Sequence, residues 1–290
     1  MDVSVLGFGG SEIGYKATPV ETVGDLLNRA LDAGLNLIDT AECYRGSEEA
    51  IGQAVGYRRN DFYLFTKCGH PHGIESGANW SKASILESIE RSLRRLQTDR
   101  VDVVQLHSCS ESELRKGEAI EALQTAREKG YTRYIGYSGD SGAARYAVEC
   151  DAFDTLQTSI SIADQEAIEL ALPQAREKNI GVIAKRPLAN VAWRTGHRPI
   201  DSYHHEYWER LRKLKYDFLT AEDLEHTISI ALRFTLTVSG VHTAIVGTTK
   251  PERWESNARL LEAGPLSEPE FSSIRHRWED VAPRIWVGQT

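Results

Sequence analysis

The stretch VDVVQLH at residues 101–107 is a nearly continuous apolar run that ends on an imidazole. Such a run suits a strand buried on both faces of a parallel sheet, because a strand with one wet face would alternate apolar and polar residues. Outward from it, similar short runs recur, each followed by a longer segment with helical spacing. They lie near Val3–Gly7, Leu35–Asp39, Phe62–Lys67, Tyr134–Ser138, Thr155–Ser159, Gly181–Ala184 and Thr243–Val246, which with Val101–His107 makes eight strands.

The intervening segments carry helix signals. Ile85, Ile89, Leu93 and Leu96 form one apolar stripe, and Thr18-Pro19-Val20-Glu21 reads as a capping box with proline at the first helical position, ahead of Val20, Val23, Leu27 and Ala30. Parallel strands need crossover connections, and these helices supply them. Eight such units without a break in composition predict a single α/β domain over residues 1–290, a (β/α)8 TIM barrel. An open doubly wound sheet is the competing architecture, but it calls for a G-x-G-x-x-G turn after the first strand, which GFGGSEIG at 7–14 only approximates.

Two segments exceed the eight-unit plan: a long loop after strand seven, from Arg186 to about Thr220, and a C-terminal helical tail after Gly264. The loop holds Trp193, His197, Tyr203, His204, His205, Tyr207 and Trp208, a mixture suited to walling a pocket, and Trp286 in the tail is a candidate to cross the substrate mouth. The first strand begins close to Met1, so the barrel floor is expected to be covered by another chain or by the tail. The basic run RSLRRLQTDR at 91–100 reads as a solvated helix face.

Composition narrows the function classes. With 34 basic and 42 acidic residues the net charge is −8, which disfavours a nucleic-acid partner. The start MDVSVLGFGG has no basic segment leading into an apolar stretch, and no run is long enough to cross a bilayer, so a cytoplasmic protein without a membrane partner is expected, as a monomer or small homo-oligomer. Four cysteines, at 43, 68, 109 and 150, form no CxxC pair and suggest neither a zinc site nor a disulfide framework.

In a barrel, chemistry sits at the C-terminal ends of the strands. LNLIDTAECY, YLFTKCG and VDVVQLHS end strands two, three and four, and place Asp39, Tyr44, Lys67 and His107 around one rim. A free phenol is a weak acid at neutral pH, so a cation beside it helps match it to proton donation. Lys67 is the candidate cation, Asp39 its partner, and His107 a group to orient a carbonyl or share the proton. Cys43, Cys68 and Cys109 neighbour these residues; they read as inert small side chains, with thiols activated by Lys67 as the alternative.

IDTAECY, FTKCG and QLHS, in that order and spacing, resemble the successive signatures of the aldo-keto reductase superfamily, with the similarity running from about Leu6 to Asn257. The resemblance implies NADPH-dependent reduction of a small carbonyl substrate, with Tyr44 as general acid, Lys67 and Asp39 tuning it, and His107 positioning the carbonyl. It also implies a cofactor half. Ser138 and Gly139 in YIGYSG, where the family often has Asn at the second position, and Gln157 would face the nicotinamide carboxamide. Gly9, Gly10, Lys185, Arg186, Pro187, Leu188 and Gly247 would line the path of the cofactor.

IVGTTKPERWESN at 245–257 resembles the family's pocket for the adenosine phosphate, drawing in Ser256 and Asn257. Read on its own physics, Thr249 and Glu252 make a possible capping box, and a helix starting there would offer free N–H groups to an anion, with Lys250 and Arg253 adding charge. Many relatives place an aromatic residue against the nicotinamide where this chain has Lys185; its stem could cover the ring, and an ammonium lying near the ring would disfavour the oxidised cofactor. Two rival readings stand beside the reductase: a Schiff-base barrel lyase using Lys67, and a non-catalytic NADPH-sensing regulatory subunit.

Overall fold

The computed structural model describes residues 1–71, 78–219 and 223–289. Eight parallel strands close into a barrel in chain order: β1 (Leu6–Gly9), β2 (Leu37–Asp39), β3 (Tyr63–Cys68), β4 (Val101–His107), β5 (Thr132–Ser138), β6 (Thr155–Ser159), β7 (Gly181–Lys185) and β8 (Thr243–Val246). The closed ring excludes the open sheet. Seven strands fall within two residues of the sequence expectation at both ends, β2 beginning at Leu37 rather than Leu35, whereas β1 begins at Leu6 rather than Val3. Register explains the shift of β1: Leu6 pairs with Ala244 and Phe8 with both Ile38 and Val246, which leaves Val3 and Val5 ahead of the ladder.

Side chains alternate along a strand, so residues two apart share a face. Leu37, Phe65, Val103 and Ile183 form an apolar layer inside the barrel, with Val3, Tyr63, Tyr134 and Ile245 packed against it. Two residues further on, the same inward face carries Asp39, Lys67, Gln105 and Lys185. The polar layer therefore stands on the apolar one. Register then brings Lys67 beside Gln105, His107 beside Ser138, Ser138 beside Gln157 and Ser159 beside Lys185.

Helices cover the outer face. Helix Lys82–Arg95 buries Ile85, Ile89 and Leu93 as expected, but its basic face is not merely solvated: Arg91 donates to the buried Glu42 carboxylate at 2.8 Å, and Arg95 pairs with Glu48 at 3.3 Å. Helix Val20–Asp32 buries Val23, Leu27 and Ala30, while Val20 is exposed. Its N-cap is Pro19 with no side-chain cap bond, so the capping box expected from Thr18 and Glu21 is absent; proline stands one position too early for it.

Thr220, the expected end of the long loop, lies outside the described residues, as does Thr290. Up to Leu219 the loop holds short turns at Ala189–Val191 and Ser202–His204 and the helix His205–Leu214. The tail contains the helix Glu268–Val281, closed at its start by a capping box between Ser267 and Glu270. Trp286 does not cross a mouth. It packs on Trp278 with ring centroids 5.4 Å apart, beneath the Arg210 guanidinium. Beyond it, Val287 O accepts from Arg210, Gly288 N–H donates to Glu166, and Gln289 N–H donates to Asp164. The tail is thus anchored beside the ends of β6 and β7, away from the barrel floor, where Val3 and Tyr63 lie instead.

Asp164 in this anchor is 1% exposed, and burial, reinforced by Asp140, pushes its carboxyl up to about 7 from 3.8. The folded chain then holds a proton that the unfolded chain loses near pH 4. The associated stability is complete below about pH 4 and is lost as pH rises towards 7. Asp164→Asn should flatten that part of a plot of Tm against pH; an unchanged slope in the variant would show that Asp164 is ionised throughout.

Candidate active site

A cavity of about 1700 Å³ opens at the C-terminal ends of the strands. Asp39, Tyr44 and His107 line one end of the expected set. Lys67 does not line it. The lysine lies beneath, 1% exposed, with its ammonium 2.5 Å from Asp39 Oδ2 and 2.9 Å from the Thr40 carbonyl oxygen. Both charges sit in the polar layer, where each would be costly without the other. The same ammonium lies 5.1 Å from the centre of the Tyr44 ring.

A tight turn after β2 presents the phenol: Tyr44 N–H donates to Ala41 O at 3.0 Å and Ser47 N–H to Tyr44 O at 2.7 Å. The half-buried ring meets His107 edge-on at 5.7 Å between centroids. Burial, and then the Asp39 charge, hold the phenol's pKa well above its ordinary value. The expected net lowering by Lys67 is therefore not met, because burial and the Asp39 charge outweigh any pull of the ammonium. His107 is shifted downward, chiefly by burial and then by Lys67, His70, Lys185 and Arg186, so its ring is neutral.

Asp39 is also tied across the barrel. Its Oδ1 accepts from Gln157 Nε2 at 2.8 Å and from Gln105 Nε2 at 3.4 Å, while Gln157 Oε1 accepts from the Ser138 hydroxyl at 3.0 Å. Ser138 and Gln157, two of the three residues expected at the nicotinamide carboxamide, thus form one chain with the acid end. Gly139 does not line the cavity, and a Cβ there would lie 2.3 Å from the Tyr137 hydroxyl, which donates to Cys109 O. The space an asparagine side chain would need is filled by that phenol. Gly139→Asn should lower Tm without tightening cofactor binding, readable by calorimetry and titration.

Lys185 lines the cavity as expected, but its ammonium is not alone: it pairs with Asp140 Oδ2 at 2.7 Å. The same carboxylate lies 4.0 Å from Arg186, so it offsets only part of the positive charge on this side of the cavity. Arg186, with φ +54°, donates to Tyr203 Oη at 2.9 Å, to Ser159 Oγ at 3.1 Å and to the Gln289 carbonyl. Pro187, Leu188, Gly9, Gly10, Gly247, Thr249, Lys250, Arg253 and Asn257 all line the cavity, whereas Ser256 turns back to bond Glu252 O. The helix starts at Arg253, with Glu252 as an N-cap that makes no side-chain bond, so the Thr249–Glu252 capping box does not form and the N-terminal N–H groups stay free of it.

From the long loop, His197, Tyr203 and His204 reach the cavity; Trp193, His205, Tyr207 and Trp208 are turned into packing or local hydrogen bonds. Of the thiols, Cys43 alone is among the lining residues. Burial pushes Cys43 and Cys109 up to about 12 and Cys68 well above its usual value, so the alternative of activation by Lys67 fails: its pull on Cys43 exists but burial outweighs it.

Sequence reasoning missed His70, Asp140, Asn190 and Gln105. His70 Nε2 bonds the His107 carbonyl oxygen at 2.8 Å, and its backbone N–H and that of Gly69 are held by Glu42. Asp140 follows the run that ends β5 and was readable by the same rule that found Asp39, whereas Gln105 lies inside β4, where that rule does not look. Asn190 sits in a turn where three consecutive non-glycine residues have positive φ, which no local sequence signal announces.

Residues 5–279 match the family described as the Aldo/keto reductase family. This chain belongs to it. The family makes the chain an oxidoreductase. Among relatives, it is 31% identical to the uncharacterized oxidoreductase YqkF of Bacillus subtilis, with 97% of this chain and 95% of that protein covered. It is 28% identical to L-galactose dehydrogenase of Arabidopsis thaliana, covering 99% and 94%. Among solved structures, the holo form of aldo-keto reductase AKR11C1 from Bacillus halodurans is 29% identical with a TM-score of 0.80, covering 95% of this chain and 92% of that one.

Proposed function

We propose that the protein reduces the carbonyl of a small aldehyde or ketone with NADPH, reversibly, using Tyr44 as proton donor. The observation that carries this reading is the Asp39–Lys67 pair seated beneath the Tyr44 ring, with the neutral His107 ring against its edge, at one end of the cavity.

The chain's own features fit a dinucleotide. Gly9 and Gly247 leave backbone as the cavity wall, and a Cβ at Gly247 would lie 2.9 Å from Gly9 O. Asn190 Nδ2 is a buried donor with no partner among the described residues, in a side chain that lines the cavity. The side-chain-free helix start at Arg253, with Lys250 beside it, suits a phosphate. Ser138, Gln157, Asn190, Lys250, Arg253 and Asn257 would hold NADPH, which supplies hydride when bound.

Tyr44, kept protonated by burial, gives its proton to the oxygen where negative charge develops. Lys67 stabilises the phenolate left behind, and Asp39 keeps the lysine in place. A neutral His107 donates a hydrogen bond to the carbonyl oxygen. The Schiff-base reading has little support, since Lys67 is buried and already serves two acceptors.

The test is a titration of NADPH against NADH followed by a carbonyl panel; the name of the Arabidopsis relative puts sugar aldehydes in that panel. Absence of NADPH binding, or of NADPH oxidation with every carbonyl, would sink the reading. Replacing Lys250 and Arg253 together by Met should weaken NADPH binding by about tenfold or more, the scale of one charge-assisted hydrogen bond, and leave NADH binding unchanged. Equal losses for both cofactors would remove these two residues from the phosphate site.

A further inference from the structure

We infer that Cys43 is a positioning residue that decides which nitrogen of His107 carries the ring proton. The inference deepens the proposed carbonyl reduction and rests on its assignment of His107 as the group that orients the carbonyl.

Cys43 Sγ lies 3.4 Å from His107 Nδ1, and the thiol is 5% exposed. It belongs to the turn that presents Tyr44, where Arg45 N–H donates to the Cys43 carbonyl at 3.1 Å, so one backbone arrangement sets both side chains. The His107 backbone is held as well, because His70 bonds its carbonyl oxygen.

A neutral imidazole has one N–H, which leaves two arrangements for this contact. Either the thiol donates to Nδ1 and the proton sits on Nε2, or Nδ1–H points at sulfur and Nε2 is bare. Sulfur is a weak acceptor, whereas an imidazole nitrogen is a good one. The thiol also keeps its proton, since burial pushes its pKa up to about 12. The first arrangement is therefore favoured, and Nε2–H is left for the substrate.

The consequence is a reversal of the usual aspartate–histidine logic. A carboxylate beside Nδ1 accepts its proton and makes Nε2 a base. A thiol in that place donates, and makes Nε2 a hydrogen-bond donor. The opposite tautomer would turn a lone pair towards the carbonyl oxygen and repel it. Cys43 thus keeps His107 in the role of carbonyl donor and leaves proton release to Tyr44.

The tautomer can be read on the full chain, without substrate, from long-range proton–nitrogen correlations of the imidazoles, with His107→Asn assigning the signals. The expected spectrum has Nε2 protonated and Nδ1 bare; a protonated Nδ1 in the wild-type chain would overturn the inference. Cys43→Ala should populate both tautomers and lower kcat/KM by about tenfold, the cost of one hydrogen bond, with NADPH affinity unchanged. Cys43→Ser, which retains a donor, should recover activity to within about threefold of wild type. An alanine variant that keeps the wild-type tautomer and kcat/KM within about twofold would also overturn it. Should Cys43→Ala fail to fold, the wild-type spectrum still decides. Should no carbonyl be reduced, the functional reading fails while the spectrum tests the tautomer separately.

Discussion

Tyr44→Phe is expected to lower kcat for carbonyl reduction by about 10³-fold while leaving NADPH affinity within about twofold, since general acid catalysis contributes on the order of 10²–10⁴. The substitution removes one oxygen and keeps the ring that packs against His107 and covers Lys67. Stopped-flow turnover and a fluorescence titration of NADPH measure the two quantities on one preparation. Turnover retained in the variant would move the proton donor elsewhere, with His107 next in line.

Lys67→Met should do damage of two kinds. The ammonium and the Asp39 carboxylate are each 1% exposed, and removing one partner leaves the other charge buried and unpaired, a loss of about 3–5 kcal/mol in stability. Activity should fall as well, because the phenolate left by Tyr44 loses its cation. The two effects separate in a second variant: Asp39→Asn with Lys67→Met removes both charges, and should recover much of the stability but none of the activity. Denaturant unfolding read beside turnover checks this. A double variant no more stable than the single one would show that the pair's geometry, and not its charge balance, holds this part of the barrel.

The barrel itself was legible because its information is local and repeated. Apolar runs such as VDVVQLH mark the strands, and the polar residues that close them mark the reactive rim. That rule placed Asp39, His107 and Ser138 at strand ends and Lys67 one residue short of one, whereas Gln157, expected to end its strand, stands in the middle of β6. What remained hidden depends on contacts between segments distant in sequence. The anchoring of the tail by Asp164, Glu166 and Arg210, the pairing of Lys185 with Asp140, and the burial that raises the thiols are products of tertiary packing. The capping boxes failed for a different reason. Thr18 with Glu21 and Thr249 with Glu252 have the right residue types, but the helices begin at Val20 and Arg253, offset from the motifs. Helix ends shift easily where tertiary contacts compete with a single cap bond.

The hydrogen-bonded chain from Ser138 through Gln157 to Asp39 and Lys67 crosses the barrel from β5 to β3. Groups joined in this way do not respond independently, so substitutions at its two ends should combine non-additively. On the proposed reading, holding the nicotinamide end of the cofactor and delivering the proton are then a single design variable. A library confined to one rim would sample only a slice of the available solutions, and the productive combinations lie in joint variation of Ser138, Gln157 and the residues around Asp39.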